Sequence, residues 1–192
     1  MAVVPPHEVA ALLPVLKTVS DSWLAKKHTR EKRFSLGSFN ADYLSQMPMA
    51  VVRRGGIIVA FANMWLPAEQ DEFSVDMMRY SDEAPDSVME FLFVQLILWG
   101  REHGYRRFDL GMAPFSGVED REVAPLWNRF AAFLYAYGEE YYNFQGLRRF
   151  KEKFNPDWEP WYMAVPGGLT LPLVLKDLSS LTSGGLKGIF AK

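Results

Sequence analysis

The chain has no cysteine among its 192 residues and only three histidines. The first absence excludes a disulfide framework, a thiolate zinc site and a cysteine nucleophile. The second leaves His7, His28 and His103 scattered, none with a ligand partner at useful spacing, so no metal is expected. Long apolar runs are missing too. The longest, residues 91–99, is broken by Gln95, whereas a bilayer-spanning helix takes about 20 residues; a soluble chain with no transmembrane segment is expected. The N-terminus "MAVVPPHEV" lacks the basic start and apolar core of a signal peptide and reads more like a boundary inside a longer protein. Charge of one sign is also scarce. With 21 basic against 23 acidic residues the net charge is −2, so any surface for a polyanion must be local.

What is present is a globular composition, 49% apolar and rich in aromatics, long enough for a single domain over residues 1–192 with a real core. No repeat, low-complexity tract or linker divides it. Residues 6–26 carry Val9, Leu12, Leu13, Leu16, Val19, Trp23 and Leu24 at helical spacing, with Pro14 expected to kink or restart the helix. Residues 26–33, "KKHTREKR", form a basic connector, either a solvated helix end or an anion-facing patch. "MAVVRRGGIIVAFANMWL" reads as a β-hairpin around Gly55-Gly56, and residues 72–81 as a third strand. Asp86 or Ser87 is a candidate N-cap for a helix over 88–103, so uniformly apolar along its middle that burial is expected, with Gly104 as its terminator. A strand at "YRRFDLGM", helices over 123–137 and from Phe144, a strand at "WYMAVP" and a last helix through Leu181 complete the prediction. A hairpin followed by a strand–helix–strand crossover implies an α/β fold with a mixed, mostly antiparallel sheet flanked by helices. That order is similar to GNAT-like acyltransferase folds, which alone says nothing of function.

The segment "NFQGLRRFKEKFNPDWEPWY", residues 143–162, places four basic residues in six positions among aromatics. On a helical wheel Leu147, Phe150 and Phe154 make an inward stripe. Arg149 and Lys153 fall on the far side as solvated charges. Arg148 and Lys151 lie along the stripe's edge, where a partly buried anion site or two snorkelling cations are equally consistent with the spacing. Trp158, Trp161 and Tyr162 are expected to pack into the core, a lipid or adenine contact being the alternative.

"DMMRY" at 76–80, "RRFDLGMAPFSG" at 106–117, "NFQGLRRFKEKFNPDWEPWYMAVP" at 143–166 and "LTSGGLKGIF" at 181–190 together resemble the C-terminal catalytic region of bacterial phosphatidylglycerol lysyltransferases. These are the multiple peptide resistance factor family, which includes the low-pH-induced lysyl-lipid synthases. The resemblance implies transfer of an aminoacyl group, lysyl more commonly than alanyl, from aminoacyl-tRNA to a hydroxyl of phosphatidylglycerol at the cytoplasmic face of the bacterial inner membrane. Resistance to cationic peptides would follow. It also implies that the chain is the C-terminal half of a tandem-GNAT catalytic region, partnered by an N-terminal GNAT half and a flippase domain, with residues 26–33 part of the basic connector. No cofactor is implied, since aminoacyl-tRNA is a co-substrate.

Such a transesterification needs anchors for two polyanions, recognition of an ammonium, activation of a hydroxyl and stabilisation of an oxyanion. By similarity the family's functional residues fall on Asp76, Arg79 and Lys151. Asp76 would bind the aminoacyl ammonium or accept the hydroxyl proton, Arg79 would grip a phosphate, and Lys151 a tRNA or lipid phosphate. Arg148 joins them as a substrate contact. Asp76 and Arg79 are three apart, so a regular strand sends them to opposite faces. Either a β-bulge lies between them or they serve different surfaces. Asp109, at the carboxyl end of its strand, is a further catalytic candidate, or it caps the "GMAP" turn; Ser116 and Glu119 in the following loop are weaker substrate-binding candidates.

Two rivals remain from the sequence. A CoA-dependent N-acetyltransferase would place a Gly-rich loop at a helix N-terminus to cradle pyrophosphate, and "SDEAPDS" before residue 88 is acidic instead. A non-catalytic module binding tRNA or anionic lipid would use the same basic clusters, but has little need of Asp76.

Overall fold

The structure, a computed structural model, describes residues 1–26, 38–114, 144–162, 164, 170, 173–174 and 176–177. It divides into two compact units, Met1–Asp109 with Ala164–Lys192, and Leu110–Met163.

The first unit is built on a sheet ordered β1-β2-β3-β4-β5: β1 Ala2–Val4, β2 Met49–Arg54, β3 Ile57–Trp65, β4 Glu72–Tyr80 and β5 Arg107–Asp109. The first four pair antiparallel and β5 runs parallel to β4. The expected mixed, mostly antiparallel sheet is therefore present, in the helix–hairpin–strand–helix–strand order of a GNAT-like fold. The β2–β3 hairpin turns on Gly55 and Gly56, both at positive φ (57° and 85°), as a two-residue turn of matching twist requires.

Helix α1, Pro6–Lys26, and the short α2, Ala41–Leu44, cover one face of this sheet. Val9, Leu16 and Val19 pack with Leu44, Met49, Val51, Phe61 and Met77. Pro14 neither ends nor restarts α1. It stands on the exposed side, where the carbonyl left without its helical partner is open to solvent.

Helix α3, Val88–Glu102, covers the other face, with Val88, Leu92 and Leu96 against Ala60, Ala62, Met64 and Phe73. Ser87 is its N-cap, and its C-terminus is a Schellman closure: Tyr105 N–H donates to Gly100 O at 2.9 Å and Gly104, at φ 81°, to Arg101 O. The expectation of wholesale burial is corrected. One face of α3 is buried, while Phe91, Val94, Ile97 and Leu98 are exposed: a helix in a two-layer packing can bury only the stripe that meets its sheet.

The second unit contains α4, Phe144–Glu152. It is stopped at Asn155, which takes a left-handed φ of 48° ahead of Pro156. Trp161 and Tyr162, expected in a strand, are neither in a strand nor in a core; both are strongly exposed. Pro156 and Pro160 lie just ahead of the expected strand and cannot donate to a ladder, so the chain reaches Trp161 in irregular structure; Met163, Val165 and Pro166 of that strand lie outside the described residues. The predicted 123–137 helix, most of the connector 26–33, Ser116 and Glu119 lie outside the described residues. Thr170, Leu173, Val174, Lys176 and Asp177, around the expected last helix, are helical.

Candidate functional site: a bulged strand and its aromatic neighbours

The sheet register resolves the three-residue spacing of Asp76 and Arg79. Ala62 pairs with Met78 and Met64 with Val75, so the single residue Asn63 on β3 faces both Asp76 and Met77 on β4. This is a β-bulge on β4. Val75 and Met78 pack on the α3 side, Met77 on the α1 side, and Arg79 pairs with Phe61, which also belongs to the α1 side. Asp76 reaches Tyr43 of α2, on that same side. The extra residue thus brings Asp76 and Arg79 to one face.

Asn63 holds the bulge. It is fully buried, and its Oδ1 accepts the Met77 backbone N–H at 2.7 Å. A bulged residue loses its ladder partner, and the side-chain amide supplies the acceptor that the opposite strand cannot. Its Nδ2 donates to Met47 Sδ at 3.4 Å.

Asp76 is half-buried, and its Oδ2 accepts the Tyr43 hydroxyl at 2.8 Å. Trp65 Nε1–H in turn donates to Tyr43 Oη at 3.0 Å. Tyr43 is placed by α2, whose N-cap Asn40 accepts the Tyr43 N–H at 3.0 Å and whose Leu44 is fully buried. The phenol pKa is raised above its ordinary 10.0, first by burial and then by the hydrogen bond to Asp76; donation from Trp65 and Asn63 pulls the other way. Tyr43 therefore keeps its proton and presents it to the carboxylate. Asp76 Oδ1 makes no hydrogen bond to the described residues, which leaves it open to a donor such as an ammonium or a hydroxyl.

The Arg79 guanidinium lies 4.1 Å from the Trp23 ring centroid and donates to Met78 O at 3.1 Å. Trp23 gives the guanidinium a flat wall that fixes its plane. Asp109 is exposed at the end of β5, in register with Ser74 of β4. Two residues before the bulge, Ser74 pairs with Trp65, whose indole reaches Tyr43, so Asp109 stands on the Asp76 face. An open cleft of about 480 Å³ adjoins this end of the sheet, lined by Met47, Pro48, Met64, Trp65, Glu72 and Ser74 among others.

In the second unit Lys151 is only 5% exposed and donates from Nζ to Gly111 O at 2.8 Å and Met112 O at 2.6 Å. Gly111 sits at φ 75°, a left-handed conformation that suits glycine and turns its carbonyl to the ammonium. Lys151 therefore ties α4 to the "LGM" loop that follows β5. Arg148 does not stand open at the stripe's edge: its Nε pairs with Glu152 at 2.8 Å, and its guanidinium lies 5.3 Å from the Trp158 ring. Arg149 and Lys153 are exposed, as expected.

Sequence reasoning reached Asp76, Arg79, Asp109 and Lys151 but missed Tyr43, Trp65 and Asn63. Asn63 had a signal, a lone amide in the apolar strand "IIVAFANMW". Tyr43 and Trp65 had none, since their meeting depends on where α2 lands. Among the described residues no group of carboxylates and histidines could hold a metal ion, and no helix is long and apolar enough to cross a membrane.

Residues 1–165 match the family model for the C-terminal region of phosphatidylglycerol lysyltransferase. The chain is 43% identical over 166 residues to a phosphatidylglycerol lysyltransferase from Bacillus subtilis, covering 86% of the chain and 19% of that protein. It is 38% identical to one from Staphylococcus aureus, covering 77% and 18%. Among solved structures, the C-terminal domain described as that of a lysylphosphatidylglycerol synthetase from Agrobacterium fabrum superposes with a TM-score of 0.81 at 45% identity, over 97% of this chain and 56% of that one. L-PGS from Bacillus licheniformis gives 0.75 at 39% identity, over 94% and 54%. The chain thus spans about a fifth of the curated relatives and about half of the solved ones.

Proposed function

The chain belongs to the family of phosphatidylglycerol lysyltransferase C-terminal regions, a family of acyltransferases, and on that premise we propose that it carries the acceptor-activating face of a lysyl transfer to phosphatidylglycerol. The donor in this reading is lysyl-tRNA. The ester between the lysyl carbonyl and the tRNA ribose breaks, an ester to a lipid hydroxyl forms, and the hydroxyl proton leaves with the ribose oxygen. No redox partner or cofactor enters the balance.

The observation that carries this reading is the bulge that sets Asp76 and Arg79 on one face. Asp76 Oδ1 accepts either the aminoacyl ammonium or the lipid hydroxyl proton, while Tyr43 holds the carboxylate in place through Oδ2. Arg79, backed by Trp23, binds a phosphate oxygen pair. Asp109 lies on the Asp76 face, and Lys151 orders the loop after it. Reaction at the cytoplasmic face of the inner membrane replaces an anionic headgroup by a cationic one, which weakens adsorption of cationic peptides. The rest of the longer polypeptide, an N-terminal GNAT half and a flippase domain in this reading, supplies the other contacts. Against a CoA-dependent transferase, Asp82, Glu83 and Asp86 precede the N-cap Ser87 of α3, where a pyrophosphate would have to sit.

The test is a transfer assay on the longest native protein with labelled lysyl-tRNA or alanyl-tRNA and phosphatidylglycerol vesicles, with the 192-residue chain run in parallel. Label in the lipid from lysyl-tRNA is expected. No labelled lipid with both tRNAs intact contradicts the reading and favours a binding module.

A further inference from the structure

Large aromatic side chains are rarely left in water in a group, because each has a large apolar area to bury. In the second unit, Trp158, Trp161 and Tyr162 are 43%, 83% and 73% exposed within five positions. The segment cannot retract into regular structure. Asn155 has already ended α4 at positive φ, and Pro156 and Pro160 withhold backbone donors. The Arg148 guanidinium, itself paired with Glu152 at 2.8 Å, lies 5.3 Å from the Trp158 ring centroid, a cation–aromatic contact that braces the start of the segment.

Their chemistry selects among partners. Tryptophan and tyrosine combine an apolar ring with one polar N–H or O–H, the pairing enriched where a hydrocarbon phase meets lipid headgroups. An RNA partner would need a positive groove along its backbone. Here Asp157 and Glu159 alternate with the aromatics, Arg148 is already paired, and the exposed Arg149 and Lys153 only offset those two acids. The segment is therefore nearly neutral and strongly aromatic.

We propose that Trp158, Trp161 and Tyr162 seat this unit in the headgroup layer of a phospholipid bilayer. The proposal rests on the reading of a lipid acceptor and deepens it: the acceptor is taken from a bilayer that these side chains enter, held by ring insertion more than by charge.

The experiment uses the 192-residue chain with vesicles of phosphatidylcholine alone or mixed with phosphatidylglycerol, read by co-sedimentation and by quenching of tryptophan fluorescence with lipids brominated at shallow or deep positions. Binding to both vesicle types is expected, with shallow quenching strongest and little loss on adding salt. Trp161→Ala with Tyr162→Ala should lower the vesicle affinity about tenfold or more without changing the circular dichroism, since both side chains are exposed. Phe91→Ser with Leu98→Ser on α3 should leave vesicle binding intact. The proposal is overturned if the wild-type chain binds no vesicles, if the α3 pair alone abolishes binding, or if the aromatic pair abolishes tRNA binding and spares vesicles. Vesicle binding is read without any transfer step. Intact binding with no transfer by the longest native protein would thus count against the proposed reaction alone, and efficient transfer without vesicle binding would count against the seating segment alone.

Discussion

Tyr43 donates its phenolic hydrogen to Asp76 Oδ2 at 2.8 Å across 33 residues of sequence, from a four-residue helix to a bulged strand. The bond leaves one carboxylate oxygen committed and one presented. Removing it by Tyr43→Phe frees the carboxylate to turn, and a hydrogen bond to a charged group is worth about 1.5–3 kcal/mol. The expected result is a loss of transfer of about tenfold or more, in kcat more than in KM, with the melting temperature lowered by only a few degrees, about 2–4 °C for each kcal/mol lost, so that the variant stays folded under assay conditions.

The same bond sets a pH signature. The Tyr43 pKa is raised, by burial first and by Asp76 second. The protonated phenol is thus favoured in the folded protein. Its contribution to stability is fully present below the unfolded tyrosine pKa of about 10 and is lost as pH rises through the higher folded value. Ultraviolet titration of tyrosinate should show a late-titrating tyrosine that disappears in Tyr43→Phe and titrates earlier in Asp76→Asn. Identical titration curves for all three proteins would contradict the assignment.

Asn63→Ala removes the acceptor for the Met77 N–H inside the sheet. Leaving that donor buried and unbonded costs about 1–3 kcal/mol, read as a lower urea midpoint. Transfer should fall as well, under conditions where the variant remains folded, because the bulge that brings Asp76 and Arg79 to one face is no longer fastened. Lower stability with full activity would show that the bulge holds without its amide.

Gly100→Ala tests the packing beneath the sheet. A Cβ at Gly100 would stand 2.8 Å from Phe73 Cζ, and Phe73 cannot swing away because it stacks on Phe108 at 4.6 Å and meets Tyr105 at 5.0 Å and Trp99 at 5.7 Å. Overpacking of this kind costs about 1–3 kcal/mol. A thermal melt should show a clear drop, and since Phe73 lies at the start of β4, transfer should fall with stability rather than ahead of it.

The layout of β2, β3, β4 and α3 was legible because hydrophobic alternation, the Gly55-Gly56 turn and the Gly104 stop are local signals. Asp76 and Arg79 were legible as a conflict: three residues apart on a strand, they demanded either a bulge or two separate surfaces, and the register settles which. What fastens the bulge was marked only by the lone Asn63 in an apolar run. Tyr43 and Trp65 left no trace, since both act through long-range contacts. Two features of the composition point away from the structure. The apolar middle of α3 suggested burial on all sides, yet a helix on a sheet buries one stripe. The aromatics after α4 suggested core, yet Pro156 and Pro160 hold that stretch out of regular structure.

The account's central claim is that one bulged strand presents Asp76 and Arg79 together for transfer chemistry. The most direct measurement compares wild-type, Asp76→Asn and Arg79→Lys forms of the longest native protein for label transferred from lysyl-tRNA to phosphatidylglycerol, with tRNA and lipid binding measured on the same preparations. The account predicts that Asp76→Asn loses at least about a hundredfold in transfer while both bindings persist, and that Arg79→Lys loses transfer together with affinity for one phosphate-bearing substrate. Unchanged transfer by Asp76→Asn would contradict it.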